Sequence, residues 1–263
     1  MGIGGGATPA LAQAVFGVSV SPHATAASRL PSNGTTYTVT FSVTDTTTGT
    51  DSVTYDLLTS QRPGSVLTTV SITGTGVTQG PNPDSAQVRL PIAGAVVVTV
   101  TYSVGNVSAG SIDTLVFLAR AVPNPATLDS AKLVVTVTRP SLTVVKSVNP
   151  GGTQLPGANL TYTTTITNTG TESAEGVVHV DSVPAQIGFE VGSVSTTLPG
   201  GVTGTVAYSS DGTTWAYGPV SGGCGAPAGF DYCVRAIRLS LGNPLSHVGP
   251  NNTVQLVFVA KVK

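Results

Sequence analysis

From Tyr37 to Thr44 the chain alternates without a break: Tyr37, Val39, Phe41 and Val43 are apolar or aromatic, while Thr38, Thr40, Ser42 and Thr44 carry hydroxyls. A period of two puts one face on a core and the other in water, so the segment reads as a half-buried β-strand. The pattern recurs at 66–73, 95–104, 114–119, 133–138, 142–148, 203–208 and 254–262, with Gly, Pro, Asn and Asp clusters between the runs. Helix signals are nearly absent, because Thr, Val, Gly and Pro are poor helix formers and no stretch carries a 3.6-residue stripe. Residues 7–15 are the one segment outside the strand pattern.

Composition agrees with an all-strand chain whose surface is neutral. Only 9% of the 263 residues are charged, against roughly 25% in an ordinary soluble domain. Polarity comes instead from Thr, Ser and Asn, with threonine alone near about 15%. A net charge of -1 leaves no electrostatic footprint for phosphate backbones, which excludes nucleic acid as a partner. No apolar run reaches the roughly 18 residues of a membrane-spanning helix.

The chain repeats itself. YTVTFSVTDT from Tyr37 lies over LTYTTTITNT from Leu160, and LVVTVTRP from Leu133 lies over LVFVAKVK from Leu256; 160 minus 37 and 256 minus 133 both give 123. A shared spacing at two distant places reads as a duplicated domain. Upstream, the VSVSP ending at Pro22 resembles the KSVNP ending at Pro150 at a slightly different offset, which a short loop insertion would explain. The expected organisation is a leader remnant or flexible arm over 1–14, an immunoglobulin-like β-sandwich over 15–139, and a second sandwich over 140–263. With about eight strands per unit and turn signals roughly every ten residues, the fold class is all-β, two tandem immunoglobulin-like β-sandwich domains. No Cys-Trp-Cys spacing of an antibody domain is present.

Residues 142–184 carry a more specific pattern. Val144 with Lys146 is followed by Pro150, a Pro156-Gly157 turn, Thr161-Tyr162, Asn168-Thr169-Gly170, and a run from Val180 through Asp181 to Pro184. This resembles the bacterial and archaeal surface repeat family known as domain of unknown function eleven. The first unit departs from it, with Val18 at the Lys position and Asp45-Thr46-Thr47 in place of Asn-Thr-Gly, and is read as a divergent relative. The resemblance implies extracellular placement in multidomain surface, S-layer-associated or fibrous proteins, and it implies no catalytic residues. Physically, Asn168-Thr169-Gly170 and Pro156-Gly157 each offer a residue that tolerates positive φ, as a tight turn needs.

Several residues are candidates for chemistry or contact. Cys224 and Cys233 flank a Gly/Pro-rich loop with no third ligand nearby, which points to a local disulfide and an oxidising compartment. Leu11-Ala12-Gln13-Ala14 before Val15 has the small-x-small ending of a signal-peptidase site, yet residues 1–10 lack a charged leader. Val15, Phe16, Val18 and Val20 are either the first strand of their own domain or a candidate donor strand inserted into the next copy. Trp215 with Tyr208 and Tyr217, joined by Phe230 and Tyr232, forms either a glycan platform or a loop-end minicore. Ser209-Ser210-Asp211-Gly212 reads as a hairpin turn. A triad of His179, Asp181 and Ser147 would need an accident of folding. Asp45, Asp51, Glu175 and Asp181 are the carboxylates a calcium ion could use, but no dense Asp-x-Asp motif joins them, so no cofactor is expected. Lys146 is an exposed edge lysine or one half of an isopeptide crosslink to an Asn on a neighbouring strand.

The expected function is that of an extracellular, non-enzymatic structural protein. It would build or decorate a cell-surface assembly, as a filament subunit joined by β-strand contacts between copies. Its partners would be itself and the cell envelope or other surface proteins. The alternative is an adhesive or carbohydrate-binding surface module.

Overall fold

The computed structural model describes residues 14–49, 51–61 and 64–263. No helix occurs among them, so none is long and apolar enough to cross a membrane. Most of the segment 7–15 and of the arm 1–14 lies outside the described residues. The chain is all-β and forms two tandem immunoglobulin-like β-sandwiches, the first ending at Thr138 and the second running Arg139–Lys263.

The first unit contains β1 (Val18–Ser21), β2 (Ala24–Arg29), β3 (Tyr37–Asp45), β4 (Ser52–Ser60), β5 (Leu67–Gly74), β6 (Val77–Gln79), β7 (Ser85–Pro91), β8 (Ala95–Val104), β9 (Ile112–Ala121) and β10 (Leu128–Val137). One sheet has the order β1-β3-β8-β5 and the other β2-β10-β9-β4-β7-β6. Alternation sends Phe41 and Val43 of β3 and Val98 and Val100 of β8 inward, to meet Leu115 and Phe117 of β9. Phe41 and Phe117 stack with ring centroids 4.9 Å apart. Burial of each such side chain stabilises the unit by about 1.5–3 kcal/mol.

The opening strand of this unit is split between its sheets. β1 pairs antiparallel with β3; the chain turns at Pro22, which cannot continue a ladder, and β2 pairs parallel with β10 in the other sheet. Val15 exchanges backbone hydrogen bonds with Thr48 at 2.9 Å, and the Val20 amide donates to Asp129 Oδ2 at 2.7 Å. Val20 is fully buried, and Phe16 and Val18 pack on the same core. In the folded chain Val18 and Val20 lie in β1 and Val15 bridges to Thr48 just before it, so these residues and Phe16 open their own unit. Phe16, Val18 and Val20 give apolar surface to that core, whereas Val15 is 67% exposed.

The second unit contains β11 (Leu142–Asn149), β12 (Asn159–Asn168), β13 (Val178–Ser182), β14 (Ile187–Glu190), β15 (Ser195–Thr197), β16 (Gly204–Ser209), β17 (Phe230–Asp231), β18 (Ala236–Leu241) and β19 (Thr253–Val262). The larger sheet runs β11-β12-β19-β14-β17, with β15 also beside β19, and the smaller runs β13-β18-β16. Its core is built from Phe189, Ile237, Leu239, Leu256 and Phe258.

The 123-residue repeat is real at one corner and misleading elsewhere. Asp45 and Asn168 end β3 and β12 and are both buried. Asp45 Oδ1 accepts from the Thr47 amide, and Asn168 Oδ1 from the Gly170 amide. Thr46 N–H donates to Gly17 O as Thr169 N–H donates to Ser141 O. The final strands differ: β10 lies between β9 and β2, whereas β19 lies between β12 and β14. Thr/Val alternation suits any half-buried strand, so the second match reflects pattern and not equivalent position. The turn chemistry also needs one correction. Gly157 has φ 90, as expected, but Gly170 has no positive φ; a Cβ there would lie 2.4 Å from Arg139 O and Ser141 N, so it is small because the preceding chain passes against it.

Candidate functional site

The two units part company at the length of the opening strand. Val18 pairs with Asp45 and Leu142 with Asn168, so by register Leu142, not Lys146, is the counterpart of Val18. β1 then ends before Pro22, whereas β11 continues to Asn149 before Pro150. The offset arises from a longer strand and not from a loop insertion. Because β11 stays with β12 throughout, no part of the opening chain passes to the opposite sheet as β2 does in the first unit. All of β11 is solvent-exposed, including Val144 at 52% and Val145 at 65% on its two faces.

Lys146 lies on the same face of β11 as Leu142, Val144 and Val148, opposite Thr164 of β12. Its ammonium reaches across to β13, the edge strand of the smaller sheet, and hydrogen-bonds Asp181 Oδ1. Alternation in β13 turns His179 and Asp181 inward and leaves Val178 and Val180 exposed. The Asp181 side chain is 2% exposed and that of Lys146 36%. Thr164 Oγ1 donates to Asp181 Oδ2 at 2.8 Å. His179 Nε2 stands 4.0 Å from the same oxygen, too far for a hydrogen bond, and is buried without a partner. The Tyr162 and Phe258 rings stack at 5.0 Å, and the ammonium sits 4.8 and 5.6 Å from their centroids. Burial pushes the Asp181 carboxyl up, but the nearby His179 ring and the hydrogen bonds of Lys146 and Thr164 outweigh it and hold the group below its usual value. Burial and the Asp181 charge raise the Tyr162 hydroxyl.

This cluster corrects one expectation and partly assembles another. The group facing Lys146 is an Asp and not an Asn. His179 and Asp181 do come together, but Ser147 lies on the opposite face of β11, with its hydroxyl directed to Thr163 O at 3.4 Å. No triad forms from these three. Thr164 was missed in the sequence; the signal is a polar residue in the inward column where the first unit has Phe41.

The remaining candidates have structural surroundings. Cys224 and Cys233 form a disulfide with Cα atoms 5.4 Å apart. The loop between them is organised by buried Asp231: Oδ2 accepts from the Tyr217 hydroxyl and the Val220 amide, both at 2.8 Å, and Oδ1 from the Cys233 amide at 2.7 Å. Gly223 is required there because a Cβ would fall 2.3 Å from Asp231 Oδ1. Tyr208 and Tyr217 pack against the second core, Tyr208 tilted on Phe189 at 5.4 Å, and the Arg238 guanidinium sits 4.7 Å from the Trp215 ring. Tyr208 and Tyr217 thus belong to the packing of the second unit, while Trp215 is half-buried beside Arg238. Asp211 Oδ1 accepts from the Thr214 amide, the Thr213 amide and the Ser209 hydroxyl, which together hold its carboxyl well below the usual range in a tight turn. Asp45 and Asp51 belong to the first unit and Glu175 and Asp181 to the second. Among the described residues no group of three or more His, Cys, Asp or Glu side chains is set to hold a metal.

No protein-family model matches the chain, and no curated protein matches it. Among solved structures, it is similar to the secreted serine protease VesC from Vibrio cholerae, with 12% identity, TM-score 0.32 and coverage of 92% of this chain. The chain spans 46% of the length of that protein. It is also similar to the C-terminal domain of the antigen I/II-family protein AspA from Streptococcus pyogenes, with 12% identity, TM-score 0.38 and coverage of 89% and 86% of the two chains. The C-terminal domain of the Streptococcus agalactiae polypeptide BspA gives 10% identity, TM-score 0.34 and the same coverages. Likenesses at these scores carry no argument about activity.

Proposed function

We propose that the chain is an extracellular structural protein that builds or decorates a cell-surface assembly, with copies joined through β-strand contacts at β11. The observation that supports this reading best is the state of that strand. It ends its sheet, and Val144 and Val145 leave apolar surface on both of its faces. Soluble proteins ordinarily blunt such an edge with charge, proline or a covering loop, because it is a template for another strand. A strand from a second copy laid along β11 would satisfy its outer backbone groups and cover Val145. A head-to-tail contact of this kind propagates into a filament. The disulfide suits an oxidising compartment. The neutral, hydroxyl-rich surface fits a scaffold better than a centre of reaction.

Size-exclusion chromatography with negative-stain microscopy tests the reading. The purified chain is expected to form ordered polymers as concentration rises, and Val145→Lys to remain monomeric. A wild-type chain that stays a dispersed monomer at high concentration contradicts it. Glycan-array binding lost on Trp215→Ala would favour the adhesive alternative.

A further inference from the structure

We propose that Lys146 and Asp181 are the two halves of an intramolecular amide bond that the second unit forms on itself, welding β11 to β13. Four observations carry this. The amine and the carboxyl come from the edge strands of the two sheets, so a bond between them closes the sandwich where no strand crosses. Lys146 Nζ is in direct contact with Asp181 Oδ1, which puts the nitrogen within reach of the carboxyl carbon. The carboxyl is sealed from water, and two aromatic rings flank the amine. Finally, Thr164 donates to Oδ2, the oxygen that gains charge when the carbon becomes tetrahedral.

The chemistry balances without any co-reactant. The ground state is an ion pair; transfer of one proton from Nζ to the carboxylate gives an amine and an acid, the reactive pair. A low-dielectric setting lessens the penalty for that neutral pair, because it disfavours charges more than neutral groups. The Nζ lone pair attacks Asp181 Cγ, and the new C–N bond gives a tetrahedral centre with its negative oxygen on the Thr164 hydroxyl. The Cγ–Oδ1 bond then breaks, and Oδ1 leaves as water after taking a second proton from Nζ. Amine and acid held in contact by a fold react as though at about 10⁵–10⁸ M, which drives a condensation that dilute water would disfavour.

Intact mass spectrometry of the denatured wild-type chain, followed by peptide mapping, tests the proposal. The expected mass is lower than the sequence mass by one water, beyond the two hydrogens of the disulfide. Mapping is expected to yield a branched peptide joining Lys146 to Asp181. Lys146→Arg, which keeps the charge but cannot condense, is expected to restore the lost water. Wild-type protein that shows the full sequence mass after prolonged incubation overturns the proposal without reference to any variant. So does a water loss that persists in Lys146→Arg or maps to another residue.

Discussion

The Tyr55 hydroxyl lies 2.7 Å from Asp45 Oδ1 and 2.7 Å from Gly17 O, inside the first unit where neither residue can turn to water. Burial, opposed by the Thr47 hydroxyl and reinforced by the Asp45 charge, raises its pKa to about 12. Tyr55→Phe removes this link and leaves a buried carboxylate short of a donor, so the first unit should lose about 1–3 kcal/mol, read by chemical denaturation. Asp113 works the other way. Burial pushes its carboxyl up, but the Ser65 hydroxyl and the amides of Thr114, Val66 and Leu67 outweigh it and hold the group below 3.8. A carboxyl depressed by folding stabilises fully above its unfolded value and loses that contribution as pH falls through its folded value. Asp113→Ala is therefore expected to cost about 2 kcal/mol at neutral pH, with the gap to wild type closing below about pH 3.8. An unchanged gap at low pH would contradict this. Neither role was legible in the sequence. A carboxylate shows its charge there, but the Val66 and Leu67 amides and the Ser65 hydroxyl that it bonds come from chain 46 to 48 residues away.

Strands were the most legible elements. β3, β8 and β19 each alternate over nine or ten residues, and the hydrophobic period alone locates them. β4 carries the same signal in Val53, Tyr55 and Leu57, while β2, with its sequence ATAASR, has no apolar stripe and exists because β10 offers it a parallel edge. Pairing explains why sequence alone under-read β11 as well: its eight residues show alternation but not that nothing lies beyond them. The disulfide loop is a separate element with its own prediction. Replacing Cys224 and Cys233 together by Ser removes a short-loop constraint worth about 2–3 kcal/mol. Asp231 still pins the loop from within, so faster proteolysis between 217 and 233 is expected with β18 and β19 unchanged. Global unfolding of the second unit on reduction would show that the loop supports more than itself.

At the scale of the whole molecule, each sandwich carries the same kind of corner, at Asp45 and at Asn168, and the two differ in how they close. The first turns its opening strand at Pro22 and uses it to edge both sheets. The second keeps that strand in one sheet, and Lys146 and Thr164 reach across to Asp181 instead. The repeat announced the shared corner, and the shift in offset between Pro22 and Pro150 announced the difference, although its meaning required the pairing register. On the proposed reading an open β11 is the surface that joins copies, and hydrogen–deuterium exchange across a concentration series reads that strand directly. The account predicts that amides of Leu142–Asn149 gain protection as the chain assembles, while β1 stays as protected as it was. Assembly with no change along β11, or no assembly at any concentration, would contradict it.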